Sequence, residues 1–327
     1  MNFSKLLFLI MLFLSTLVSI SSNNWIGMWM GMEINIMSFA PLISTYKNMK
    51  KSKALMIYFL TQSIGSIIML FFILLSKFMM LTPNILENSI NSMIMISLLI
   101  KVGAAPFHNW FPIMMKNLSW KESIILMTWQ KVTPLYMLSM IFNNLLIISI
   151  ILSSLFGAIG GLNYTSTLKI MAFSSINHMG WMMMMMMYNS KWVYYLVIYS
   201  VIIMMIIMFF NFHNIFFINQ VSSNYNSIME KLSFSSLMLS MGGLPPFLGF
   251  LPKWIAIQAV INFNIPLILF MVMMSILTLF YYMRMISPLI LFYSSMNKFF
   301  YKKKLMNYTY LIFMINLMFP LFMVLNF

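Results

Sequence analysis

Gly103-Ala-Ala-Pro-Phe-His-Asn-Trp-Phe-Pro112 and Gly243-Leu-Pro-Pro-Phe-Leu-Gly-Phe-Leu-Pro252 are two copies of one pattern, set 140 residues apart. Both read glycine, two residues, proline, phenylalanine, four residues, proline. Each lies inside an apolar window long enough for a helix. Proline removes a helix N–H and clashes with the preceding turn. The pattern therefore predicts one helix broken at Gly103 and Pro106, and another broken at Gly243, Pro245 and Pro246. Interruptions at matching positions in two halves of a membrane chain point to an inverted-repeat transport fold.

Outward from these motifs the chain is apolar almost throughout. Of 327 residues, 62% are hydrophobic and 7% are charged, against about 25% charged in soluble domains. That excludes a water-soluble globule, and it excludes disorder, which needs low hydrophobicity. A bilayer span takes about 20 mostly apolar residues. Polar punctuation separates windows at 3–20, 25–46, 54–75, 90–111, 123–142, 145–162, 167–188, 192–213, 234–260, 266–288 and 308–326. The expected fold is an all-α polytopic membrane protein with about eleven transmembrane helices. The first window, with Lys5, an apolar stretch and then Ser19 to Ser22, also has the shape of a signal peptide, but it fits a first span. The linker Asn214 to Lys231 is expected at the surface. The two motifs fall in the fourth and ninth windows, an odd number of helices apart, so the second copy is inverted in the membrane.

A net charge of +15 would suggest nucleic acid in a soluble protein. Here it reads as topology, and the bilayer, not nucleic acid, is the expected partner. Assigned alternately to two sides, the loops place 13 lysines with the N-terminus (Lys5, Lys47, Lys50, Lys51, Lys53, Lys116, Lys121, Lys169, Lys231, Lys298, Lys302, Lys303, Lys304) and 2 opposite (Lys77, Lys191). Positive residues gather on the inner side. The N-terminus is expected to face the cytoplasm or matrix, and the C-terminus the opposite side. Lacking cysteine, the chain has no thiolate for an iron–sulfur cluster. Three histidines are too few for two His-ligated haems, and aspartate and a Gly-rich phosphate loop are absent. No metal or cofactor site is expected. The 42 methionines, among them the run Met182 to Met187, suit a genetic code that reads ATA as Met, and hence a mitochondrial genome. Methionine also packs adaptably between helices.

Charges inside the windows are the candidate functional groups, because a charge at mid-bilayer costs at least ~2.5–3.5 kcal/mol. Glu33 lies in the second window, about 12 Å deep at 1.5 Å per residue. Lys101 precedes the first break, Lys131 lies in the fifth window before Pro134, and Lys253 follows the second break. A lysine within two turns of a helix end can instead snorkel to the interface, and that is the expectation for Arg284. Ser174 and His178, four apart, share a helix face and could relay protons, or His178 could simply bridge two helices. His108 follows the first break and is placed to cap its freed backbone groups. His213 is expected at the interface. Glu87, Glu122 and Glu230 are expected to be solvated.

Lys101 to Trp110, Trp129-Gln-Lys131-Val-Thr-Pro134, Ser174 to Trp181, and Gly242 to Trp254 together resemble the subunit 2 family of mitochondrial NADH:ubiquinone oxidoreductase, respiratory complex I. More distantly they resemble cation/proton antiporter subunits. The resemblance implies two inverted five-helix repeats, over 1–143 and 144–291, followed by a matrix loop and a last helix over 292–327. It implies a proton-translocating module in the membrane arm of the mitochondrial inner membrane, partnered by other membrane-arm subunits. In it Glu33, Lys101, Lys131 and Lys253 carry protons and His178 is a relay. NADH, flavin, iron–sulfur clusters and ubiquinone are handled by other subunits. Two further readings share these motifs: a stand-alone cation/proton antiporter, and a structural or assembly subunit that does not pump.

Overall fold

A computed structural model describes residues 3–44, 48–78, 85–141, 143–188, 191–224, 228–291 and 308–317. Its helices are α1 (Phe3–Ser21), α2 (Trp25–Ser44), α3 (Met49–Phe78), α4 (Ile85–Val102), α5 (Trp110–Asn117), α6 (Trp120–Met127), α7 (Val132–Leu138), α8 (Leu145–Leu162), α9 (Thr167–Met187), α10 (Trp192–His213), α11 (Asn219–Asn224), α12 (Ile228–Gly242), α13 (Phe250–Val260), α14 (Ile265–Leu291) and α15 (Tyr308–Asn316). Among the described residues there is no β-strand, only an isolated antiparallel bridge between Ser166 and Phe217. Six of the helices, α1, α2, α3, α8, α10 and α14, are long and apolar enough to cross a bilayer. Lys47, Lys298, Lys302, Lys303, Lys304, and the end of the expected last helix lie outside the described residues, as does the side chain of Glu87.

The chain forms two compact units, Met1–Ser153 and Ser154–Phe327. In the first, α1 and α2 pack through small residues. A Cβ added at Gly31 would lie 2.7 Å from the Ser19 Cβ, the close approach that glycine and serine allow between membrane helices. The hydroxyls of Ser15 and Ser19 donate to the carbonyls of Leu12 and Thr16, both at 2.8 Å. In the second unit, α9 is buried along almost its whole length, its polar residues Ser174, Ser175, Asn177 and His178 included.

Both motifs break their helices, as the Gly/Pro pattern predicts. α4 ends at Val102 and α5 begins at Trp110; α12 ends at Gly242 and α13 begins at Phe250. Each stop is a left-handed glycine, Gly103 at φ +74° and Gly243 at φ +77°. The next residue's N–H reaches back five residues, Ala104 to the Leu99 carbonyl (3.1 Å) and Leu244 to Leu239 (3.3 Å). This is the glycine-terminated helix end in which the freed carbonyls find new donors. The Ala105–Pro106 and Pro245–Pro246 peptides are both cis.

Three expectations are corrected. The window 123–142 is not one helix: α6 stops at Met127, a 3-10 turn spans Trp129–Lys131, and α7 starts at Val132. Pro134 sits in the first turn of α7, where its missing N–H costs no intrahelical bond. The helix of the window 90–111 begins earlier, at Ile85. The linker from Asn214 is not all surface: it contains α11, and Ile215, Ile218 and Val221 are buried.

Candidate functional site

The first unit brings Glu33, Lys101 and Lys131 to neighbouring helices and buries both lysines, to 5% and 3% exposure. Lys101 closes the last turn of α4. The break frees the carbonyls of this turn, and two side chains take them over: Gln62 Nε2 donates to Lys101 O and Trp110 Nε1 to Ile100 O, both at 3.1 Å. The lysine stem crosses α3 at Gly65, where a Cβ would stand 2.9 Å from Lys101 Cγ. Its ammonium points at the Met32 sulfur, 3.8 Å away. Glu33, the next residue of α2, is within electrostatic reach of Lys101 but is not ion-paired to it. Glu33 Oε1 is buried without a hydrogen bond.

Lys131 sits in the 3-10 turn between α6 and α7, with its ammonium 5.2 Å from the Phe111 ring centroid. Beside it runs a chain of amides and a phenol. Tyr58 donates to Gln130 Oε1 (3.2 Å), and Gln130 Nε2 donates to Asn35 Oδ1 (2.8 Å). Tyr58 is also within electrostatic reach of Glu33. Polar groups therefore connect the surroundings of Glu33 with the turn that holds Lys131. His108, 8% exposed, lies beside the Pro106 backbone, while the freed helix-end carbonyls are held by Gln62 and Trp110.

The second unit holds Lys253 and His178. Lys253, 5% exposed, folds back across the break, and its ammonium donates to the Gly242 carbonyl at 2.6 Å. It passes so close to Gly243 that a Cβ there would be 2.6 Å from Lys253 Cδ. His178 Nδ1 is 2.8 Å from the Tyr195 hydroxyl. Ser174, one turn earlier, gives its proton to the Met171 carbonyl (2.8 Å).

Three charges differ from expectation. Arg284 does not snorkel: its guanidinium donates to Leu162 O, to Tyr164 O (2.6 Å) and to Gly161 O (3.3 Å). A cation at a helix C-terminus meets the negative end of the dipole, and three free carbonyls hold it there. Glu122 is 8% exposed. It pairs with Lys51 at 2.5 Å and accepts from the Ser119 N–H at 3.0 Å, capping α6. Glu230 is also buried, at 5% exposure.

Sequence reasoning missed Gln62, Gly65, Asn35, Tyr58 and Gln130. A signal existed for two of them. Asn35 lies one turn or less from Glu33, and Gln130 adjoins Lys131, so both were polar residues beside a charge in an apolar window. Among the described residues no three His, Cys, Asp or Glu gather as metal ligands would.

Residues 22–280 match the family described as NADH:quinone oxidoreductase/Mrp antiporter, TM. The NADH-ubiquinone oxidoreductase chain 2 of Anopheles gambiae is 46% identical over 289 residues, covering 86% of this chain and 84% of that one. The chain 2 protein of Locusta migratoria is 40% identical over 290 residues, with the same coverage. A chain in the structure of respiratory complex I from Thermus thermophilus with bound aureothin shares the fold. Its TM-score is 0.81 at 19% identity, over 88% of this chain and 71% of that chain.

Proposed function

The chain belongs to the NADH:quinone oxidoreductase/Mrp antiporter membrane family, in its NADH-ubiquinone oxidoreductase chain 2 branch, and from that premise we propose how it works. It is a membrane-arm subunit of respiratory complex I in the mitochondrial inner membrane, and it moves protons while electrons pass from NADH to ubiquinone. NADH, flavin, iron–sulfur clusters and the quinone site belong to other subunits. The observation that carries the reading is the placing of Lys101, Lys131 and Lys253, each nearly sealed from the surface and each at a helix break. A spacer subunit has no use for such groups, since burying an ammonium costs several kcal/mol. A stand-alone antiporter would share the fold; the chain 2 relatives, similar over most of their length, favour the complex.

In this mechanism Glu33 is the mobile partner. It stands near Lys101 without touching it. A rotamer change that closed the gap to ~4 Å would be worth about 4 kcal/mol at an effective dielectric of 20. Moving one charge against 100 mV costs about 2.3 kcal/mol, so making and breaking this pair is large enough to drive a proton onward. Lys131 receives it beside the Tyr58–Gln130–Asn35 chain, and His178 and Lys253 continue the transfer in the second unit. Glu33→Gln removes the charge and keeps the shape. It is expected to lower both proton movement and quinone reduction several-fold in fully assembled complex. Unchanged rates would rule out the switch.

The topology follows the lysine split: eleven spans in two inverted five-helix repeats, 1–143 and 144–291, plus 292–327, with the N-terminus in the matrix and the C-terminus in the intermembrane space. Protons enter from the lysine-rich side. Because the chain has no cysteine, a single introduced one reports its own side. Lys50→Cys should react with an impermeant thiol reagent only from the matrix, and Lys191→Cys only from the opposite face. The reverse labelling would overturn the orientation and with it the direction of entry and exit.

A further inference from the structure

Between Lys53 and Lys77 helix α3 carries no charge, yet one of its faces is tied to each element that holds Glu33, Lys101 or Lys131. It runs unbroken for 30 residues, whereas Lys101 and Lys131 both sit at breaks. A backbone that stops at a break cannot by itself fix the spacing of the two lysines. Lys51, Tyr58, Gln62 and Gly65 follow one another at intervals of seven, four and three residues, so they share one face of α3.

Two of them hold the segment that leads to Lys131. At its start the Lys51 ammonium pairs with Glu122 Oε1 at 2.5 Å, and both side chains are only 11% exposed. The other oxygen of the same carboxylate accepts from the Ser119 N–H and caps α6. At its end Tyr58 donates to Gln130 Oε1, beside Lys131. The two ties are seven residues apart on α3 and eight apart on the other segment, so a continuous helix backs a broken one at both ends. The next turn of the same face holds Lys101. Gln62 donates to its carbonyl, and the lysine stem lies against Gly65. Tyr58 and Gln62 stand about 6 Å apart along the axis. The turns of Lys131 and Lys101 are thus fixed to successive turns of one rod. One residue past Gly65, the Ser66 carbonyl accepts from Trp29 Nε1 at 3.1 Å, one turn from Glu33 on α2. A buried ion pair is weak evidence for stability, because an uncharged pair of similar volume often serves as well. What Lys51 and Glu122 supply is a register between α3 and α6.

We infer that α3 is the positioning element of the first unit: the Lys51–Glu122 pair and Gln62 set where Lys131 and Lys101 stand relative to each other, and carry no proton themselves. The inference rests on the proton-translocation reading above.

The test uses the intact complex in the membrane, with Lys131→Met as the reference for loss. Lys51→Met/Glu122→Gln removes both charges and keeps the shapes, so it should assemble in normal amount. A misplacement of about 1 Å can slow a reaction on the order of 100-fold. Protons moved per NADH oxidised should therefore drop at least half as far as in Lys131→Met. Gln62→Leu, which deletes the tie to Lys101, should lower the ratio likewise. Lys51→Arg keeps the pair and should keep the ratio of the unsubstituted complex. An unchanged ratio in the double variant overturns the inference, and so does a Lys51→Arg complex as impaired as the double variant. If the double variant does not assemble, Gln62→Leu decides by the same ratio. A merely structural role would lower the amount of complex and leave the ratio alone. If Lys131→Met lowers the ratio and the α3 variants do not, only the positioning role falls; if Lys131→Met leaves it unchanged, the function itself is wrong.

Discussion

Lys131→Met is expected to assemble normally and to stop proton transfer through this subunit. Methionine matches lysine in length and removes a charge whose burial costs several kcal/mol, so the amount of complex on native electrophoresis should equal or exceed that of the unsubstituted protein. Transfer is another matter. Lys131 is 3% exposed, in a turn between two short helices, next to the hydrogen-bonded chain from Tyr58 to Asn35. Without a titratable group there, a proton meets the bare cost of charge at mid-bilayer, ~2.5–3.5 kcal/mol. That slows passage on the order of 100-fold. The measurement is dye-reported acidification per NADH oxidised. Normal acidification from normally assembled complex would make the subunit a spacer.

Gly243→Ala should be more damaging than the matching change at the first break, Gly103→Ala. The left-handed backbone at φ +77° costs an L-residue about 1–2 kcal/mol. The new Cβ would stand 2.6 Å from Lys253 Cδ and 2.9 Å from Nζ, so the side chain must leave. With it goes the bond to Gly242 O, a charged hydrogen bond of a kind worth about 1.5–3 kcal/mol. Gly103→Ala carries the same backbone penalty at φ +74°, but its nearest obstacle is the Trp110 ring at 3.1 Å. The expected order is a severe loss of assembled, active complex for Gly243→Ala and a milder one for Gly103→Ala. Equal losses would mean that the Lys253 contact contributes nothing.

The two breaks were legible because glycine and proline act on their own backbone, so the motif carries its structure with it. The third break was not. Trp129-Gln-Lys131 contains neither residue, and Pro134 reads equally as a kink in one helix or as the start of the next. The buried lysines were legible as charges in apolar windows, but their surroundings were not. Gln62 and Gly65 reach Lys101 from α3, across nearly forty residues of chain. Glu122 shows both sides of this. Its cap on α6 is local and could be read from the Ser119-Trp-Lys-Glu122 spacing. Its pairing with Lys51, 71 residues away, is what buries it, and no local pattern contains it. Tyr58 was hidden in another way: in an apolar window it counts as hydrophobic, and only packing shows what its hydroxyl meets.

Although the two breaks share a motif, they differ in who holds the helix end. At the first, Gln62 and Trp110 occupy the freed carbonyls, so the Lys101 ammonium can swing while the backbone stays fixed. At the second, the carrier is its own fastener: Lys253 clamps Gly242 O. A charge-assisted hydrogen bond is about twice as strong as a neutral one, so loading Lys253 tightens this joint and unloading it slackens it. On the proposed mechanism Lys101 is thus wired as an electrical contact, whereas a proton arriving at Lys253 would also do mechanical work on the chain.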